Sequence, residues 1–163
     1  MSQAPLLTTE RLKLRALVQD DKHFIVALIS DEKVRQFLGG VSPFEQRKAA
    51  ASHYFAHDVE KTVWMVETVV ASLQVGLISI SRHQDGEGTE LSYQFHPDTW
   101  GSGYAIEATA AVRNYVINYL GRRELVAETQ EANHASRRLL EKLGMRELRR
   151  LERFGAEQVI YIL

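Results

Sequence analysis

Between residues 89 and 129 the chain passes from an alternating strand pattern through a Gly-x-Gly turn into a helix pattern and then a second strand. Few folds accommodate that succession. In Thr89 to Phe95, Leu91, Tyr93 and Phe95 face one way and Glu90, Ser92 and Gln94 the other, which is a strand with one polar face. His96-Pro97-Asp98-Thr99-Trp100-Gly101-Ser102-Gly103 follows. From Tyr104 the positions Ala108, Ala111, Val112, Tyr115, Val116 and Tyr119 recur on one side of a helix, and Gly121 is placed to end it. Glu124 to Thr129 is the next strand. A strand-helix-strand crossover makes neighbouring strands parallel, and ligands collect beyond the carboxyl ends of parallel strands. Two glycines there let the backbone approach a ligand and turn several N–H groups one way, while the helix amino end adds positive potential. A pyrophosphate fits such a turn. The same residues would also serve as an ordinary tight strand-to-helix connection.

The rest of the chain reads around this unit. Arg11 to Leu17 alternates as a half-buried strand. Asp20 and Asp21 can cap a helix carrying Phe24, Ile25, Leu28 and Ile29 inward, and a second short turn around Val34, Phe37 and Leu38 stops at Gly39-Gly40. Ser42-Pro43-Phe44-Glu45 has the form of a capping box, opening a helix that should reach about Glu60 with Phe44, Ala51, Phe55 and Val59 on its inner face. Thr62 to Val70 and Gln74 to Arg82 are strands. Asn133 can cap a last helix carrying Leu139, Leu140 and Leu143 inward and ending at Gly144, before closing strands near Met145 to Phe154 and Gln158 to Leu163. The expectation is an α/β (α+β) fold, with a mixed central sheet of about seven strands and four helices, in a single domain over residues 1–163.

Composition narrows the function. Twenty Lys plus Arg against 21 Asp plus Glu leave a formal charge of -1, without the basic excess of a nucleic-acid binder. The absence of cysteine removes thiolate nucleophiles and cysteine zinc sites, and is compatible with the cytoplasm. The amino terminus has no apolar run of signal-peptide length, and the most apolar stretch, Thr62 to Ser81, is interrupted by Glu67 and Gln74. No membrane span and no metal site are expected. His53 and His57 lie at i, i+4 on the expected helix, but with no third ligand in view they read as a solvated face.

Trp100-Gly101-Ser102-Gly103-Tyr104-Ala105-Ile106-Glu107-Ala108, followed about 25 residues on by Asn133-His134-Ala135-Ser136-Arg137-Arg138-Leu139-Leu140-Glu141-Lys142-Leu143-Gly144-Met145, resembles the acetyl-CoA-binding core of the GNAT superfamily of N-acetyltransferases. Thr8-Thr9-Glu10-Arg11-Leu12-Lys13-Leu14-Arg15 and Glu90-Leu91-Ser92-Tyr93 extend the likeness to nearly the whole chain, and are similar to the type that acetylates the amino-terminal alanine or serine of ribosomal proteins. The resemblance implies acetyl-CoA as co-substrate. It places the CoA pyrophosphate on Gly101, Ser102, Gly103, Tyr104 and Ala105, with Phe95 on the strand before them and Asn133 and Ser136 facing the pantetheine arm. Two positions depart from the family pattern. Its common Gln or Arg three residues before the first loop glycine is Asp98, and the Tyr that many members carry seven positions after the Asn is Leu140.

Moving acetyl from a thioester to an amine requires removing a proton from an ammonium and helping a thiolate leave. An α-amino group of pKa about 8 costs about 1.4 kcal/mol to deprotonate at pH 7, and a lysine of pKa about 10.4 costs about 4.6 kcal/mol. A weak or water-mediated base therefore suffices for an amino terminus. Glu90, on the polar face of the strand leading to the loop, is the candidate base, directly or through water, and Ser136, the one hydroxyl near Asn133 on the last helix, is the candidate proton donor, with water as the alternative. A solvated strand carboxylate and a helix-cap serine are the plain alternatives. Arg137 or Arg138 could meet a CoA phosphate, and Trp64, Tyr93 and Trp100 either line a cleft or pack the core. The acceptor implied is a primary amine, of a protein terminus or of a small molecule. A CoA-binding sensor that has lost turnover is the reading from another class, and a homodimer stays open.

Overall fold

The computed structural model describes residues 4–56, 58–86 and 88–163. Its strands are β1 (Leu7–Thr8), β2 (Leu12–Ala16), β3 (Thr62–Thr68), β4 (Gln74–Arg82), β5 (Thr89–Phe95), β6 (Leu125–Gln130), β7 (Arg146–Arg153) and β8 (Ala156–Ile162). Its helices are α1 (Lys22–Ser30), α2 (Glu32–Arg35), α3 (Phe44–Ser52), α4 (Tyr104–Asn114) and α5 (His134–Lys142). The strands form one sheet in the order β1-β2-β3-β4-β5-β6-β8-β7. Every neighbouring pair is antiparallel except β5 with β6, the pair that the crossover through α4 predicts.

Apolar side chains divide between the two faces of the sheet. On one, Ala108, Val112 and Val116 from the α4 segment and Leu140 and Leu143 from the α5 segment pack on Leu14, Val66, Ile78, Leu91 and Phe95. On the other, Ile25, Leu28 and Ile29 of α1 and Ala51 of α3 cover Met65 and Leu77. The helices α1 and α3 thus roof β3 and β4, leaving the polar face of β5 and β6 to other groups.

Four expectations need correction. A two-residue strand, β1, pairs Leu7 with Leu14 and Thr8 with Lys13 and makes eight strands; two residues carry no readable alternation. The helix expected to reach Glu60 stops at Ser52 and tightens into a 3₁₀ turn at His53–Phe55. Pro43 stands outside it with extended ψ of 143°, no side chain caps it, and Phe44 and Val59 are exposed, so Ala51 is its buried contact. His53 lies in the 3₁₀ turn and His57 falls outside the described residues. Asp21 is no exposed cap but is 1% exposed, held by Arg15. After Asn114 the helix widens into π turns over Tyr115–Tyr119, which bring Tyr119 out to solvent with its ring on Tyr115.

Where β4 passes β5, Gly76 pairs with Phe95, and a Cβ at Gly76 would lie 2.6 Å from both Gln94 O and Phe95 Cδ1. The missing side chain leaves the room that the Phe95 ring and the Gln94 carbonyl occupy. Gly76→Ala should therefore cost about 1–3 kcal/mol through forced displacement of Phe95, lowering Tm by roughly 2–12 °C. Thermal unfolding checks this; an unchanged Tm would mean the ring moves freely.

Candidate active site

The strands β5 and β6 pair only at Thr89 with Leu125 and Glu90 with Val126, and beyond these residues they part. Thr89 N–H donates to Glu124 O at 2.8 Å, so odd-numbered residues of β5 turn their backbone groups toward β6. Those of Tyr93 and Phe95 consequently meet no strand on that side. The result is a cleft with an open strand edge, whose closed end carries Glu90 and whose open end leads into the glycine turn.

That turn is shaped for close approach. Trp100 Nε1–H donates to Phe95 O at 2.9 Å and closes the loop onto the end of β5, while the Trp100 ring stays half exposed. Gly103, at φ 79°, immediately precedes α4, and no side chain caps the helix there. The bond from Glu107 N–H to Gly103 O opens the helical ladder, so the donors of the first turn are left for a ligand. The residues present fit an anionic cofactor group, because a Cβ at Gly101 would meet no protein atom within 4 Å, whereas one at Gly103 would lie 3.2 Å from Arg11 Nη2.

Arg11 is the neighbour of this loop that sequence reasoning missed. Its Nη1 donates to Ser102 O at 2.8 Å, its Nε to Glu107 Oε2 at 2.7 Å, and its guanidinium lies 4.9 Å from the centre of the Tyr104 ring. Thr9 Oγ1 and the Arg11 backbone N–H both donate to Glu107 Oε1, at 2.6 and 2.9 Å. Burial alone would raise the Glu107 carboxyl, but these donors hold it below its ordinary value. A carboxylate in the first turn would repel a pyrophosphate, and Arg11 neutralises it. Asp98, where the family pattern has a Gln or Arg, has a side chain 90% exposed beside His96. The cation at this loop thus comes from the turn between β1 and β2, 91 residues before Ser102 in the chain.

Across the cleft, Asn133 Oδ1 accepts from Ser136 N–H at 3.2 Å, which caps α5 as its sequence predicts. Ser136 Oγ lies 2.7 Å from Tyr93 Oη. Leu140, at the position where the resemblance implies a Tyr, is fully buried in the core. Burial pushes the Tyr93 phenol up to about 12, with the Ser136 hydrogen bond opposing.

On the other face of the same strands, Glu90 is half-buried near His83, Asp85, Glu128 and Arg153. Burial pushes its carboxyl above the ordinary range, with His83 and Arg153 opposing and Glu128 and Asp85 adding to the rise. His83 Nδ1 accepts from Asp85 N–H at 3.3 Å, which assigns the ring hydrogen to Nε2, facing Glu128 Oε2 at 3.2 Å. Arg153 donates to Glu128 at 3.2 Å and to Asp85 at 2.7 Å. The His83 ring is enclosed, and Glu90 is the member of this cluster that sits at the closed end of the cleft.

Other sequence candidates lie elsewhere. Trp64 is fully buried and donates to Pro5 O. Arg137 is spent on Tyr161 and Glu131, away from the glycine turn, and Arg138 makes no described contact. A cavity of about 500 Å³ opens at the amino end of β5, lined by Arg82, Thr89, Arg122 and Glu124 among others, and none of the expected site residues borders it. Among the described residues no three His, Asp or Glu side chains are disposed to hold a metal ion, and no helix is long and apolar enough to cross a membrane.

A mixed sheet that parts at its one parallel pair, with a glycine turn feeding a helix beside the gap, defines a class of α/β enzymes that hold an extended, phosphate-bearing cofactor against a strand edge. Comparison with known proteins names the family. The Acetyltransferase (GNAT) domain family model matches residues 11–146, and the chain belongs to that family of acetyl-CoA-dependent N-acyltransferases. The Bacillus subtilis protein described as "Uncharacterized N-acetyltransferase YoaA" is 30% identical over 145 residues, spanning 86% of this chain and 82% of that one. The FsC-acetyl coenzyme A-N(2)-transacetylase of Aspergillus fumigatus is 27% identical over 152 residues, which is 86% of this chain and 65% of the relative. Among solved structures, a GNAT-family acetyltransferase from Bacillus anthracis superposes with a TM-score of 0.84 at 22% identity, covering 98% of both chains. The spermidine N-acetyltransferase of Vibrio cholerae, in complex with CoA and spermine, gives 0.79 at 20% identity over 94% of both. A Vibrio cholerae protein assigned as a ribosomal-protein-serine acetyltransferase gives 0.75 at 19%, over 100% of this chain and 99% of that one. These structures share the GNAT fold.

Proposed function

We propose that this chain, as one N-acetyltransferase domain over residues 1–163 working in the cytoplasm, transfers acetyl directly from acetyl-CoA to a primary amine, with a protein α-amino terminus as the preferred acceptor. Gly101, Ser102, Gly103, Tyr104 and Ala105 would hold the pyrophosphate, and the open edge at Phe95, with Asn133 and Ser136 opposite, would hold the pantetheine arm. Acetyl-CoA supplies the acetyl thioester. Glu90 takes a proton from the acceptor, directly or through water, and Ser136 donates a hydrogen bond to the departing sulfur.

The observation that carries this reading is Glu90 at the closed end of the cleft with its carboxyl raised by burial. A carboxylate is a modest base even when raised, and Tyr93, pushed up to about 12, keeps its proton. Such a site suits an amine whose own pKa is near 8 better than one near 10.4. The names of two similar proteins, a spermidine N-acetyltransferase and an FsC-acetyl coenzyme A-N(2)-transacetylase, favour a small-amine acceptor as the second reading.

The test is acetyl-CoA turnover with pooled amino-terminal peptides and small amines, reading thiol release and acetylated product. Peptide acetylation supports the first reading and acetylation of small amines alone supports the second. Binding without thiol release would make the protein a sensor. Cofactor binding has its own measurement. Acetyl-CoA at about a hundred times Kd should raise Tm by roughly 5–10 °C by mass action. Ser102→Glu adds an anion to an exposed loop residue, so it should keep the unliganded Tm and lose most of that shift. Equal shifts in both proteins would remove the loop from the binding site.

A further inference from the structure

The Tyr93 and Ser136 hydroxyls form the one hydrogen bond described between the side chains of β5 and α5, and it spans the face of the cleft opposite Glu90. Tyr93 Oη also lies 3.5 Å from Ser136 O, at the limit of a hydrogen bond, so its near partner is Ser136 Oγ, and with one hydrogen on each hydroxyl that pair has two arrangements. In one, Ser136 donates to the phenol and has nothing left to offer. In the other, Tyr93 donates to Ser136 Oγ and the serine hydrogen is free to point elsewhere. A phenol is a far stronger hydrogen-bond acid than an alkyl hydroxyl, which favours the second. Burial keeps the phenol neutral, with a value pushed up to about 12, so the donor is present throughout the neutral range. The Ser136 backbone is fixed as well, because its N–H is held by Asn133 Oδ1 at 3.2 Å.

We infer that Tyr93 is a positioning residue for acetyl transfer: its phenol donates to Ser136 Oγ at 2.7 Å and so turns the serine hydrogen toward the departing sulfur. This rests on the proposed acetyltransferase reading and on the role given there to Ser136. Donation from Tyr93 also polarises the serine O–H, making it a better donor at the moment the sulfur gains charge. The proton balance closes outside the pair. The C–S bond breaks as the C–N bond forms and the electron pair stays on sulfur. Glu90 accepts the proton lost by nitrogen, and solvent returns one to the thiolate after release. Both hydroxyls keep their own protons, as they must when the phenol value stands well above that of a thiol near 8.5.

The measurement is thiol release from acetyl-CoA with pooled amino-terminal peptides and small amines, on wild type, Tyr93→Phe, Ser136→Ala and the double variant, with Tm recorded for each. Ser136→Ala should lower kcat roughly 10- to 150-fold, the worth of one hydrogen bond to a developing charge. Tyr93→Phe should lower kcat roughly 3- to 12-fold, the worth of one neutral hydrogen bond, with KM for acetyl-CoA moving less than about twofold. Because Tyr93 acts through Ser136, the double variant should match Ser136→Ala within about a factor of two, so the losses fail to multiply. Losses that do multiply, or a Tyr93→Phe protein with full kcat, overturn the inference while leaving the acetyltransferase reading standing. A Ser136→Ala protein with full kcat overturns both the serine role and the inference drawn from it. If Tyr93→Phe folds poorly, a fluorinated tyrosine at position 93 keeps the shape and ionises at lower pH. Its kcat should then fall at alkaline pH where wild type does not, and a profile unchanged from wild type overturns the inference.

Discussion

Glu90→Gln should lower turnover about 10²-fold or more while acetyl-CoA affinity stays near wild type. The amide keeps the shape of the side chain at the closed end of the cleft and removes its basicity. Burial is the leading cause of the raised carboxyl, and His83, Asp85, Glu128 and Arg153 are the charged and titratable groups around it. The base acts only when ionised, so the acid limb of kcat/KM in wild type should lie above the ordinary carboxylate range, and activity should climb as pH rises through that limb. In Glu90→Gln the limb should vanish. The deficit should shrink at high pH, where the amine deprotonates unaided. Stability should move the other way. A carboxyl raised in the folded state makes folding harder once it is ionised, so its unfavourable contribution grows as pH rises through the folded value. Glu90→Gln should therefore unfold at the same or a slightly higher temperature at pH 7. A variant with full turnover at pH 6.5 would return Glu90 to the role of a solvated strand carboxylate.

The parts of this site that a reader could find in the sequence are those in which local pattern and function coincide. Thr89–Phe95 alternates cleanly because one face packs on α4 and the other does not, so the strand and the polar side carrying Glu90 are both legible. The Gly101-Ser102-Gly103 turn and the Asn133 cap are legible for the same reason, since each answers a backbone requirement within a few residues. The Tyr93–Ser136 pair is 43 residues apart and Arg11–Glu107 is 96 apart. Their meeting depends on how strands pair and where helices land, and no spacing rule records it. Tyr93 on its own reads as core, and Arg11 as the start of a strand. The helix α3 misleads for a different reason. Phe44 and Val59 match a helical stripe, but the chain turns at His53–Phe55 before the stripe is complete, and α1 needs only the small Ala51 against it.

The same long-range logic governs the stability of the opposite flank, where charged groups of two strands and a turn converge. Asp21 is 1% exposed and Glu67 5%. Arg15 reaches both, with Nη1 and Nη2 on the two Asp21 oxygens at 2.8 and 2.9 Å and Nε on Glu67 Oε2 at 2.8 Å. Val18 N–H and Gln74 Nε2 complete the Asp21 shell, and Lys13 lies 3.2 Å from Glu67. Arg15→Met keeps the length of the side chain and leaves two enclosed carboxylates short of a cation. Breaking a buried pair in this way costs about 3–5 kcal/mol, so Tm should fall by roughly 6–20 °C. The pH dependence identifies the cause. Burial would raise the Asp21 carboxyl, and the Arg15 guanidinium, with the hydrogen bonds from Val18 N–H and Gln74, more than reverses that, leaving the value lowered. In wild type this contribution is fully present above the unfolded value of about 3.9 and is lost as pH falls through the lowered folded value. Without Arg15 only the Val18 and Gln74 hydrogen bonds oppose the burial effect, so the Asp21 value rises and acidification penalises the variant less than it penalises wild type. The gap between the two melting temperatures should therefore narrow as pH is lowered toward 4. Adding Asp21→Asn and Glu67→Gln to Arg15→Met should recover much of the loss at pH 7, because the enclosed groups then carry no charge. A gap that stays constant with pH would mean that Arg15 contributes by packing its aliphatic stem and not by pairing.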